Sequence, residues 1–120
     1  MTRITFYRRD GVLYGFEEVG HACFGDAGED VLCAAISSMT MLTVNMIEVA
    51  FNTDIQYLVD DEEAKITVTC LGALPDYAED EKTQFAVSGV FTGYYNELCS
   101  LAEEYYDNLT VEILDDEDVV

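Results

Sequence analysis

Hydrophobic and polar positions along this chain switch period four times, which divides it into alternating strand-like and helix-like stretches. Thr2–Arg8 and Leu13–Val19 carry β-branched and aromatic residues in ITFYR and LYGFE. With Asp10-Gly11 between them as a hairpin signal, they predict a strand pair. From Val31 to about Ala50 the spacing becomes helical: Leu32, Ile36, Met39, Thr43, Met46, Ile47 and Ala50 recur at three and four and form a core-facing stripe. Ile55–Val59 and Lys65–Leu71 predict a second strand pair around the acidic turn Asp60–Glu63, and Gly72–Pro75 breaks the order. Helical spacing returns from about Glu79 to Asp107, with Phe85, Phe91, Tyr95, Leu98, Leu101, Ala102 and Tyr105 facing inward. Gly89 and Gly93 inside this stretch cost about 1 kcal/mol each relative to Ala. They share one face, and close helix–helix packing is the expected reason, a bend the alternative. Leu109–Leu114 is the last predicted strand.

The order is ββαββαβ, which predicts an α+β two-layer domain: a mostly antiparallel sheet with two helices on one face. Residues 1–114 form a single domain, and 115–120 an acidic C-terminal tail expected to be solvated. If the outer sheet face were apolar it would need a partner, and a homodimer is the expected answer.

Composition narrows the function classes. Half of the residues are hydrophobic, with 8 Tyr and 6 Phe, so the body of the chain should fold around a real core. No apolar run is expected to span a membrane, and MTRITFYRRDG lacks the apolar stretch of a signal peptide, so a cytoplasmic location is expected. There are 25 acidic and 5 basic residues, a net charge of −20. That argues against nucleic acid, whose backbone needs Lys and Arg to displace counterions, and favours a basic partner or solubility alone. Cys23, Cys33, Cys70 and Cys99 show no CxxC spacing, which favours thiols over a disulfide framework.

One segment points to a chemistry. Gly20–Ser38, GHACFGDAGEDVLCAAISS, puts the single histidine, His21, twelve residues before Cys33. Asp30 is a good N-cap, which would place Cys33 in the first turn of the helix among amides lacking intrahelical partners. A helix end is worth roughly 0.3–1 kcal/mol to an anion, too little to ionise most of a thiol at neutral pH. An imidazolium at about 4 Å supplies up to roughly 4 kcal/mol at intermediate dielectric. His21 is therefore the group that would turn Cys33 into a nucleophile and later protonate a leaving amine. Asp26, Glu29 and Asp30 oppose the thiolate, although one of them could orient His21. Gly25 and Gly28 between His21 and Cys33 read as a gating or substrate-binding loop that begins at Ala22. Ala34 and Ser37 leave room for a peptide. The bland alternatives stand beside this: chance spacing, an inert buried thiol like Cys70 and Cys99, or loose zinc ligation by His21, Cys23 and Cys33.

The string Gly20-His21-Ala22, Gly25, Gly28, Asp30, Cys33-Ala34 and Ser37 resembles the signature of the bacterial ribosomal-processing cysteine proteases, the Prp family. Phe16 in GFE, Val44-Asn45 and Leu101–Tyr105 (LAEEY) are similar to that family as well. Leu32 stands where the family usually has Val, and Cys23 where a polar residue is expected. The resemblance implies an α+β homodimer with Cys33 as nucleophile, His21 as its partner and Asp30 in support, using neither metal nor cofactor. It also implies a substrate: the precursor of the large-subunit ribosomal protein numbered twenty-seven, whose N-terminal extension is removed to support ribosome assembly. The implied cleavage segment is apolar and aromatic, followed by a small residue and lysines. Neither nucleic acid nor membrane is an expected partner. A non-catalytic acidic module that docks a basic ribosomal or assembly protein is the alternative.

Overall fold

A computed structural model describes residues 1–20 and 27–116, with the backbone alone for 27–30. Its elements follow the predicted order. Strands β1 (Thr2–Arg9) and β2 (Val12–Val19) precede helix α1 (Ala27–Asn45); β3 (Gln56–Asp60) and β4 (Lys65–Thr69) precede α2 (Glu81–Glu104) and β5 (Leu109–Asp115). The sheet order is β3-β4-β2-β1-β5. Three neighbouring pairs are antiparallel, and β1 with β5 is parallel, Thr2 opposite Leu109 and Arg8 opposite Asp115.

Parity along the strands explains which face is covered. Ile4 and Phe6 of β1, Phe16 of β2 and Val68 of β4 are fully buried on the helix side. Leu32 and Ile36 of α1, with Val87, Phe91 and Leu98 of α2, meet them there. Phe16 is the hub, with ring centroids 5.3 Å from Phe6, 5.2 Å from Tyr94 and 6.1 Å from Phe91. Such tilted and edge-on pairs add about 0.5–1.5 kcal/mol each to the burial itself. The opposite face is polar: Tyr7 donates to Glu17 at 2.9 Å, Lys65 pairs with Glu17 at 3.3 Å, and Arg3 lies 4.0 Å from Glu112. Its exposed apolar residues, Leu58 and Leu114, lie on the two edge strands, so its centre gives no apolar argument for a partner.

Several expectations are corrected. Asp30 does not cap α1, which starts at Ala27. Ala27 is a strong helix former, and Glu29 and Asp30 in a first turn complement the helix dipole, so the acids favour extension rather than a stop. The long first helix also changes form at its end, where Met46–Ala50 make a π-helical turn closed by Phe51 N–H on the Met46 carbonyl at 2.9 Å. Val31–Ala50 is long and apolar enough to cross a membrane by length and composition, contrary to expectation. Its apolarity is accounted for by packing, since Leu32, Ile36, Val44 and Ile47 are buried in the core. Cys70 lies just past β4, before a short 3-10 turn at Leu71–Ala73, rather than mid-strand.

In the second helix Asp80 is the N-cap, its carboxylate accepting the Thr83 N–H at 2.7 Å. Phe85 does not face inward but is 80% exposed. Nor do Gly89 and Gly93 admit a neighbouring backbone: a Cβ built on either meets nothing within 4 Å. They floor an apolar groove of about 510 Å³ between α1 and α2, walled by Met39, Leu42, Met46 and Phe85. The expected tail begins inside the sheet, because Asp115 ends β5 and its carboxylate accepts from Arg8 Nε and Nη2 at 2.6 and 2.7 Å. Asp116 pairs with Arg9 at 3.1 Å and accepts the hydroxyl of Tyr14, the extra residue at the β1–β2 bulge. Burial and that carboxylate push the Tyr14 hydroxyl up to about 12.

Candidate active site

The site end of the fold is where β2 runs out. Gly20 follows Val19 with a positive φ of 82°, and its N–H donates to the Ala64 carbonyl at 3.3 Å. The β3–β4 turn is thereby tied to the residue immediately before His21. His21, Ala22, Gly25 and Cys23 lie outside the described residues, and so does the distance between His21 and Cys33. Gly28 and Asp30 are described only as helical backbone in the first turn of α1.

Cys33 is the seventh residue of α1, in its second turn. This corrects its expected place among first-turn amides. An amide that deep in an α-helix is committed to the carbonyl four residues back, so the Cys33 N–H is not available to hold an oxyanion. The side chain is buried, 3% exposed, between fully covered Leu32 and Ile36. Ala34 is exposed, and Ser37, one turn beyond Cys33, is half-buried. Among the described residues Cys33, Cys70 and Cys99 form no disulfide with one another. Burial raises the Cys70 thiol above its ordinary value, partly offset by backbone hydrogen bonds from Gly72 and Ala73. No group of three metal-ligating side chains occurs among the described residues. The zinc alternative also needs His21 and Cys23, outside them.

Beneath the helix that carries Cys33 is a polar cluster that sequence reading missed. Glu18 of β2 is fully buried, and Thr40 of α1 and Tyr94 of α2 are nearly so. The Thr40 hydroxyl donates to Glu18 Oε1, and the Tyr94 hydroxyl lies 3.1 Å from the same oxygen and 2.8 Å from Thr40 Oγ1. Tyr94 also reaches the Ile36 carbonyl at 3.4 Å, three residues after Cys33. Burial raises the Tyr94 hydroxyl far above its ordinary value, and the Glu18 charge adds to it. Cys33, Ile36 and Thr40 follow each other at three and four along one face of α1, so this cluster ties that face to both neighbouring elements. The signal was present in the sequence: Phe16 and Glu18 share strand parity, which puts a charge at a core position.

Residues 1–110 match the family model described as cysteine protease Prp. The chain belongs to the Prp cysteine protease family. SMU.848 from Streptococcus mutans is 30% identical in sequence, over 96% of this chain and 98% of that one, with a TM-score of 0.78. The essential ribosomal processing protease Prp from S. aureus, solved in complex with a substrate peptide, is 18% identical over 95% of this chain and 100% of its own. Its TM-score is 0.76, and the same protease with a covalently linked product peptide gives 0.75 at 19% identity. At these identities the likeness to the S. aureus enzyme shows a shared Prp fold. No curated protein matches the chain. The match takes in the segment from Gly20 to Ser37 that carries the Prp-like string and ends inside β5.

Proposed function

We propose that this chain is a cysteine endopeptidase with a Cys33/His21 dyad. Its substrate is the precursor of the large-subunit ribosomal protein numbered twenty-seven, from which it removes the N-terminal extension in support of ribosome assembly. Family membership over residues 1–110 carries this reading. The substrate-bound S. aureus relative and the net charge of −20, which suits a lysine-containing peptide, support it. His21 takes the Cys33 proton, and the thiolate sulfur bonds to the scissile carbonyl carbon. As the tetrahedral adduct collapses, the carbon–nitrogen bond breaks and His21 protonates the departing amine. Water, deprotonated by His21, then attacks the thioester, releasing the acid and the thiol. Asp30 supports the dyad. Ala22, Gly25 and Gly28 admit the peptide, with Ala34 and Ser37 beside Cys33. The enzyme works in the cytoplasm as a homodimer, and the groove floored by Gly89 and Gly93 is the apolar surface best suited to a second copy.

Cleavage of a synthetic precursor peptide tests the reading. Cys33→Ala should abolish it, and His21→Ala should also shift the pH profile of Cys33 alkylation upward. Cleavage at the wild-type rate by Cys33→Ala overturns it. The burial of Cys33 favours one second reading, a non-catalytic acidic module that docks a basic ribosomal or assembly protein. In that case Cys33 reacts with iodoacetamide as a slow, ordinary thiol, and binding survives its replacement.

A further inference from the structure

Strand β3 is a sheet edge that the helix layer leaves uncovered. Tyr57 and Val59 stand opposite Val68 and Ile66, which places them on the helix side. They are nevertheless 39% and 54% exposed, and Leu58 on the opposite face is 62% exposed. Natural edge strands are blunted by lysine, proline, a bulge or a cover. Among the described residues Gln56–Asp60 has no lysine, proline, bulge or cover, its one charge is Asp60 at its end, and its pairing with β4 is regular throughout. At its end stands the acidic turn Asp60–Glu63. Asp60 is spent on the turn, its Oδ1 accepting the N–H groups of Glu62 at 3.1 Å and Glu63 at 3.2 Å. Asp61, Glu62 and Glu63 are exposed and form no ion pair among the described residues, and Lys65 is engaged with Glu17. Ala64 of the same turn holds Gly20, so this corner adjoins the site end of the sheet.

We propose that β3 takes up an extended lysine- or arginine-rich segment of the substrate polypeptide, outside the cleaved bond, by strand addition. The segment's backbone pairs with the outer edge of β3, its apolar residues cover Tyr57, Leu58 and Val59, and its cations meet Asp61, Glu62 and Glu63. A second copy is the competing occupant, and charge decides against it. A second β3 would bring its own acidic turn, Asp60–Glu63, to this edge. The same field draws in a basic segment. The identity of the polypeptide rests on the proteolytic reading; the edge and its charge do not.

The test uses the full chain and a seven-residue peptide of alternating Lys and Val, observed by backbone amide shifts. Binding should move the amides of Gln56–Asp60, weaken as salt rises, and fall about tenfold in the triple variant D61N/E62Q/E63Q, since exposed ion pairs are each worth a fraction of a kcal/mol. Leu58→Lys should weaken it too. A probe N-methylated at every second residue keeps its charge but cannot add as a strand, and should not bind. Equal binding of the methylated probe, shifts centred away from β3, or self-association of the chain abolished by Leu58→Lys overturns the proposal. Cleavage of a short precursor peptide lacking a basic arm should be unchanged in Leu58→Lys. Its loss in Cys33→Ala bears on the catalytic reading alone.

Discussion

Gly20 and Gly11 share a backbone conformation, with φ of 82° and 81°, but not an environment. A Cβ on Gly20 would lie 2.3 Å from the Met1 carbonyl oxygen, whereas one on Gly11 meets nothing within 4 Å. Alanine at Gly11 therefore incurs only the left-handed backbone penalty, about 1–2 kcal/mol. Alanine at Gly20 incurs that penalty and must also push aside a backbone oxygen of the neighbouring strand, adding about 1–3 kcal/mol as overpacking does. With a urea slope of about 2 kcal/mol per molar, mid-range for small domains, Gly20→Ala should lower the unfolding midpoint by about 1–2.5 M. Gly11→Ala should shift it by less than about 1 M. Equilibrium urea denaturation followed by far-UV circular dichroism makes the comparison. Coincident midpoints for the two variants would refute the argument that the Met1 contact adds to the conformational cost. Because Gly20 directly precedes His21, Gly20→Ala should also slow precursor cleavage below its unfolding transition, and Gly11→Ala should not.

Thr40→Val removes a donor from buried Glu18 and should cost about 1–3 kcal/mol; adding Glu18→Met should recover part of that loss in chemical denaturation. The hydrogen bonds from Arg8 hold the Asp115 carboxyl below its ordinary value. The stability this contributes is fully present above the unfolded carboxyl range, about 3.9, and is lost as pH falls through the lower folded value. The stability gap between the wild type and Asp115→Asn should therefore be present at pH 7 and close below about pH 4. Phe85→Ser, at a residue 80% exposed in the single chain, should leave monomer stability within about 0.5 kcal/mol. It should weaken dimerisation in sedimentation equilibrium, and an undiminished dimer would exclude the α1–α2 groove as the interface.

What the sequence revealed was mostly local. The hairpin at Asp10-Gly11, the inward stripe of Leu32, Ile36 and Ile47, and the alternation of Ile4 and Phe6 are short-range patterns, and each element they predict is present. The order of strands was not legible, since the parallel pairing of β1 with β5 joins residues more than a hundred positions apart. The start of α1 was misread because Asp30 suits both an N-cap and a first helical turn, and only the preceding backbone distinguishes them. Phe85 was misplaced because periodicity assigns a face without saying whether anything covers it. The lone histidine twelve residues before a helical cysteine singled out His21 and Cys33, and family likeness lifted that pair above chance spacing, whereas the Glu18–Thr40–Tyr94 cluster follows from strand parity once the sheet faces are known.

The parallel pairing of the first and last strands also sets an order of events in time. During synthesis β1 can pair with β2 as soon as the hairpin has emerged, but its other edge has no native neighbour until residues 109–115 are made. Closing so long a loop is entropically costly, and contacts of this separation slow folding. The nascent chain thus carries Ile4 and Phe6 beside an open strand edge until residues 109–115 have been made. A pause or truncation before Leu109 would leave that edge available to other chains, so loss of the last strand should appear first as aggregation rather than as reduced turnover.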